Sequence, residues 1–65
     1  MLELRRAREG RGWSLTDVCS MTGIAPTTLS EIERSMRHAY PGWKKRIAEA
    51  FELPEAELFR EVEDD

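Results

Sequence analysis

Residues 14–33 read SLTDVCSMTGIAPTTLSEIE, and their pattern decides the fold. Ser14 is placed to cap a helix. Asp17, three residues on, can reach back toward the cap's amide, although a capping box proper carries Glu or Gln there. Leu15, Val18 and Cys19 recur at helical spacing. Gly23 is free to take a positive φ and end that helix. Ile24 follows, and Pro26 sits where a second helix begins, a position that needs no amide hydrogen. Leu29 and Ile32 give this second helix one apolar side, leaving Thr27, Thr28, Ser30 and Glu31 to face outward. Two short helices joined by so short a link must cross, which is the geometry of a helix-turn-helix.

Upstream, the spacing predicts a helix over residues 2–9, with Leu4 and Ala7 inward and Arg5 and Arg6 in solvent. Gly10 and Gly12 are expected to break it. Trp13 stands immediately before the Ser14 cap, where an apolar side chain staples onto the helix that follows, so it reads as packing rather than function. Downstream, residues 34–42 (RSMRHAYPG) form a basic loop ended by a Pro-Gly turn. Trp43, Ile47, Ala50 and Phe51 then repeat at i, i+4, i+7 and i+8, an amphipathic helix with Lys44, Lys45 and Arg46 on other faces. Pro54 opens a last helix over residues 55–60, with Leu58 and Phe59 returning to the core and Glu55 and Glu57 suiting its N-terminal dipole. Residues 61–65 read as a frayed acidic tail on a domain of residues 1–60. Five helices and no strand pattern predict an all-α fold.

A chain of 65 residues makes one domain, near the lower limit at which a core holds unaided. One cysteine excludes an internal disulfide, and with His38 alone it offers no zinc-ligand set; no metal and no cofactor are expected. The sequence has no run of 18 apolar residues, and residues 1–8 are too charged for a signal peptide's apolar region. A soluble, cytoplasmic protein without a membrane partner is therefore expected. The net charge of −3 looks wrong for a nucleic-acid binder until it is resolved along the chain. Residues 1–50 hold nine Arg or Lys against six Asp or Glu, and residues 51–65 hold one Arg against seven acids. A basic body with an acidic end is compatible with a nucleic-acid partner if the two surfaces point apart.

The ordered set Leu4, Arg8, Glu9, Gly12, Trp13, Ser14, Val18, Cys19, Thr22, Gly23, Ile24, Thr28, Leu29, Ile32, Glu33 and Arg34 resembles the Cro/cI-type (XRE-like) helix-turn-helix repressors. The match continues through residues 47–51 (IAEAF), Leu53-Pro54 and Leu58-Phe59. It covers residues 2 to 59, and it implies a compact five-helix domain whose recognition helix, residues 26–33, lies in the major groove of duplex DNA. Pro26, Thr27, Ser30 and Glu31 match the family's base-facing positions, with Thr28 beside them. Thr27 can donate, accept or press its methyl on a thymine, and Glu31 can accept from a cytosine amino group. The helix carries no Arg, Asn or Gln, so the alternative of ordinary solvated polar residues stays open. Phosphate contacts fall to the amides capped by Ser14 and to Arg34, Arg37 and Lys44. Two departures stand out. Leu15 occupies a position where the family usually has a phosphate-holding Gln, for which Arg37 is the candidate replacement. Ser35 follows the helix where family members often carry Gly. The resemblance also implies that Arg8 and Glu33 meet in a largely buried ion pair, and that Cys19 is a small core residue.

The leading expectation is a sequence-specific DNA-binding transcriptional regulator, acting as a homodimer on two half-sites, with Leu58, Phe59 and Val62 as interface candidates. The alternative is a protein-interaction module on the same fold, antitoxin-like or a phage accessory protein. With no nucleophile-base set, paired-carboxylate site or glycine-rich phosphate loop, no enzyme is expected.

Overall fold

Ser14 and Asp17 do close a capping box. The Asp17 amide donates to Ser14 Oγ at 3.0 Å, and the Ser14 amide donates back to Asp17 Oδ2 at 2.8 Å. The shorter aspartate side chain reaches as a glutamate would, and it starts α2 (Leu15–Thr22). Gly23 ends α2 in the left-handed conformation, φ 76°, its amide donating to the Cys19 carbonyl at 2.7 Å. Buried Thr22 locks the turn: its hydroxyl donates to the Val18 carbonyl at 2.8 Å and accepts from the Ile24 amide at 3.3 Å. Pro26 then occupies the first position of α3 (Pro26–Glu33). Local chemistry alone thus fixes both ends of the turn.

The computed structural model describes residues 1–63, and the rest of the fold encloses this pair. Among those residues there are α1 (Glu3–Gly10), α2, α3, α4 (Pro41–Phe51) and α5 (Glu55–Leu58), and no strand. Leu4, Val18, Leu29, Ile32, Ile47, Phe51 and Leu58 are each at most 1 % exposed and contribute the centre of the core, with every helix supplying at least one. Burying an aliphatic or aromatic side chain of this size stabilises by about 1.5–3 kcal/mol. Trp13 packs its ring edge-on to Phe51, with centroids 5.1 Å apart. Arg11 lies over both rings and donates to the Phe51 carbonyl at 2.8 Å, tying the loop after α1 to the end of α4.

Several boundaries differ from the sequence-based expectations. Gly10 stays helical, and the break falls at Gly12, φ 72°. Pro41 and Gly42 do not end the loop as a turn; Pro41 is the first residue of α4, because its missing amide hydrogen costs nothing there. The last helix stops at Leu58, two residues early. Leu58 itself is fully buried, which removes it from the candidate interface residues. Glu61 and Val62 are docked rather than frayed. Leu2 and Glu61 form an isolated antiparallel bridge, the Glu3 amide donates to the Arg60 carbonyl at 3.0 Å, and the Val62 amide donates to the Met1 carbonyl at 2.8 Å. Leu2 also donates its amide to the Glu33 carbonyl at 2.8 Å, so this short pairing seals the end of α3. Asp64 and Asp65, the end of the expected tail, lie outside the described residues.

Two side-chain-bearing residues take left-handed backbone, Ser35 at φ 60° and Glu52 at φ 56°. Ser35 holds the left-handed conformation that a glycine adopts more readily, and the chain turns out of α3 there despite the departure from glycine. Glu52 caps the C-terminus of α4 and is exposed. Left-handed backbone costs an L-residue about 1–2 kcal/mol, and glycine's extra freedom in the unfolded chain offsets about 0.5–1 kcal/mol of the relief. Glu52→Gly is therefore expected to stabilise by about 0.5–1 kcal/mol, a rise of a few degrees in Tm for a domain this small. A melting temperature at or below the parent's would contradict it.

Candidate nucleic-acid interface

Leu29 and Ile32 anchor α3 in the core, and this fixes which of its residues reach solvent. Thr27 is exposed, while Pro26, Thr28, Ser30 and Glu31 are partly so. The helix is mounted on α1 by a two-point ion pair. Arg8 Nε donates to Glu33 Oε2 at 2.7 Å and Nη2 to Glu33 Oε1 at 3.2 Å, with the side chains 12 % and 4 % exposed. Arg8 Nη1 also donates to the Trp13 carbonyl at 2.8 Å, so one guanidinium ties α1, the α1–α2 loop and α3 together. The hydrogen bonds it donates to Glu33 push the Arg8 guanidinium above its already high ordinary pKa.

The flanks of α3 are cationic but not as the sequence reading had them. Arg34 follows the helix and donates through Nε to the Ser30 carbonyl at 3.4 Å. The expected anion site at the start of α2 is half used, because the capping box occupies two donors and places the Asp17 carboxylate beside them. The Leu15 and Thr16 amides remain as first-turn donors without helical partners. Leu15 packs against the core. A depression of about 340 Å³ opens beside it, walled by Arg5, Leu15, Ser30 and Arg34 and floored by the Arg8–Glu33 pair. Arg5 was not among the sequence candidates. Its neighbours in sequence mark it only as a solvated charge, and nothing local reveals that α1 packs with Arg5 across from Leu15.

On the other flank, Arg37 and Glu31 are not independent. Arg37 Nε donates to Glu31 Oε1 at 2.8 Å. His38 is exposed, and Lys44 holds its ammonium 5.5 Å from the centre of the Phe59 ring. Arg37, His38, Lys44 and Phe59 border a second hollow of about 380 Å³ between the α3–α4 loop and the C-terminal segment. Ser35 hydrogen-bonds Glu61 across it, and the Met1 ammonium donates to Glu61 Oε1 at 3.1 Å. The Ser35 hydroxyl, with the ammonium second, holds the Glu61 carboxyl below the usual carboxylate range. A depressed carboxyl stabilises the fold above its ordinary pKa, and this link weakens as the pH falls through the lowered value.

Among the described residues no group of three or more His, Cys, Asp or Glu is arranged to hold a metal ion. No helix among the described residues is long and apolar enough to cross a membrane. Cys19 is a free thiol, partly buried against the core.

Comparison with known proteins agrees with this geometry. The sequence is 33% identical over 51 residues to uncharacterized HTH-type transcriptional regulators of Mycobacterium bovis and of two strains of Mycobacterium tuberculosis, an alignment covering 78% of this chain and 20% of each relative. The chain thus spans about a fifth of the length of the curated relatives it matches. No solved structure matches it significantly. Residues 2–60 match the model of a helix-turn-helix domain. With the capped turn, the crossed pair α2–α3 and the Arg8–Glu33 mount already in place, that match over nearly the whole chain assigns the protein to the helix-turn-helix domain family, as an XRE-like member.

Proposed function

We propose that this domain is a sequence-specific DNA-binding transcriptional regulator, with α3 in the major groove of duplex DNA. The observation that carries the reading is the polar edge of α3, from Pro26 and Thr27 through Ser30, mounted rigidly on the core and flanked by cationic side chains on both sides. Phosphate contacts position such a helix and base edges specify its site. Arg5 and Arg34 stand beside Leu15 and hold a phosphate in place of the Gln that the family usually has there, while the open amides of Leu15 and Thr16, beyond the Ser14 cap, form a second contact. Lys44 and Arg37 supply positive charge on the opposite flank. A single domain of this size makes few contacts, so it acts as a dimer on two half-sites about one helical turn apart. With Leu58 in the core, partly exposed Phe59 and Val62 are the apolar residues left for that interface.

Selection from a random duplex library tests the reading directly: one enriched motif, bound with an affinity that falls steeply with salt, is expected. An unenriched library, with no duplex binding at low salt, would instead favour a protein partner on the same fold. Truncation after Arg60 adds a second check. It removes Glu61, Glu63, Asp64 and Asp65, shifting the net charge from −3 to +1. Non-specific binding should strengthen, most visibly at low salt, where charge acts over the longest distance. The same truncation should lower Tm, because it deletes the docked Glu61 and Val62. Unchanged affinity for random duplex at low salt would remove the acidic end from any role in binding.

A further inference from the structure

A helix that reads bases without Arg, Asn or Gln lacks the side chains that grip a purine edge with two hydrogen bonds. A guanidinium nevertheless stands beside it. Past the end of α3 the left-handed Ser35 turns the chain back, and the Met36 amide donates to the Glu31 carbonyl at 2.8 Å. The next residue, Arg37, is thereby carried to Glu31, where its Nε donates to Oε1 at 2.8 Å. The two side chains are 47% and 33% exposed, so the pair lies at the surface. Thr27 and Glu31 are four residues apart and share one strip of the helix. The guanidinium therefore extends the line of groups that begins with Thr27.

The atom used in this contact decides what is left over. Bonding through Nε leaves Nη1 and Nη2 with no hydrogen bond among the described residues, as a planar fork of donors. That fork fits the O6 and N7 acceptors of guanine. We propose that Glu31 and Arg37 form one reading unit. Glu31 is a positioning residue that holds the guanidinium at the edge of α3, and Arg37 reads a guanine in the major groove. The inference rests on the DNA-binding function proposed above. It replaces two separate roles, cytosine contact for Glu31 and phosphate contact for Arg37, with a single shared one. It would give a helix with only hydroxyls and a carboxylate at its edge a means of reading a G·C pair.

An exposed ion pair contributes little to folding, so variants at both positions should fold and can be compared on the same enriched site. Replacing the key guanine by 7-deazaguanine exchanges the N7 acceptor for a C–H and leaves O6 in place. Wild type should then bind about tenfold more weakly, the scale of one lost base contact. Arg37→Ala should bind the natural site at least about tenfold more weakly, keep the wild-type salt slope and be indifferent to 7-deazaguanine. Glu31→Ala should broaden the preference at that one base pair, and Glu31→Gln, which keeps a carbonyl acceptor for Nε, should restore part of it. Indifference of the wild type to 7-deazaguanine at every enriched guanine, or a motif without guanine, overturns the proposal. So does an Arg37→Ala variant that still prefers guanine there and shows a flatter salt slope, since that is the result expected of a phosphate contact. A wild-type chain that enriches no motif overturns the DNA-binding reading itself, and the two failures are thus told apart.

Discussion

Replacing Arg8 by alanine is expected to lower the unfolding free energy by about 3–5 kcal/mol, the cost of stranding one partner of a buried ion pair. Glu33 is 4 % exposed at its side chain, and both of its oxygens accept from Arg8. Without that guanidinium the carboxylate must stay charged and unpaired in the core or take up a proton, and either is unfavourable. The Trp13 carbonyl loses its donor in the same substitution. A domain of this length has a total stability of about 3–10 kcal/mol, so the substitution removes about half of a mid-range stability and all of one at the low end. Urea denaturation of Arg8→Ala measures the loss where the protein still folds. Where it does not, the double variant Arg8→Met with Glu33→Leu distinguishes the cause. Removing both charges should recover much of the stability, because an apolar pair of similar volume carries no desolvation penalty. An Arg8→Ala protein melting within a few degrees of the parent would show that the pair is not what mounts α3.

The second large effect concerns base reading. Thr27→Ala is expected to cost about 1–3 kcal/mol on the enriched duplex and far less on random sequence. Thr27 is exposed at the second position of α3, where a recognition helix meets base edges. If Thr27 reads a base as proposed, removing its hydroxyl and methyl deletes that contact and spares the proposed phosphate contacts. The fold should not suffer, since Thr27 makes no core contribution and alanine is the better helix former. Binding isotherms at one fixed salt concentration, on the enriched and the scrambled duplex, separate the two terms. Equal losses on both duplexes would take Thr27 out of the readout.

The parts of this fold legible in the sequence are those governed by neighbours within one turn of chain. Ser14 with Asp17, Gly23 and Pro26 act on backbone groups three or four residues away, and their places in α2 and α3 follow from that short range. The apolar spacing of Leu29, Ile32, Ile47 and Phe51 likewise marks the core. Pro41-Gly42 misleads because the same dipeptide suits a turn and the first turn of a helix, and the packing of Ile47 and Phe51 chooses between them. Leu58 could not be divided between core and interface without knowing that α5 packs on α1 and α4. Glu61 and Val62 look like a solvated tail because their partners, Met1 and Leu2, lie at the other end of the sequence. At the candidate interface, the sequence names the polar and cationic residues of α3 and its flanks, but not which of them pair. The union of Glu31 with Arg37 depends on a left-handed Ser35, which local preference disfavours.

The bridge between Leu2 and Glu61, with the Val62 amide on the Met1 carbonyl, brings the entry and exit of the domain to one point on its surface. A unit built this way is topologically portable. A few residues of linker between 62 and 1 would close it into a ring, and reopening that ring at exposed Gly12 would give a circular permutant with the same helices in a new order. For the same reason it can be spliced into a surface loop of a larger host without forcing the host's flanking strands or helices apart. Neighbouring ends make a domain of this kind an insert as readily as an appendage.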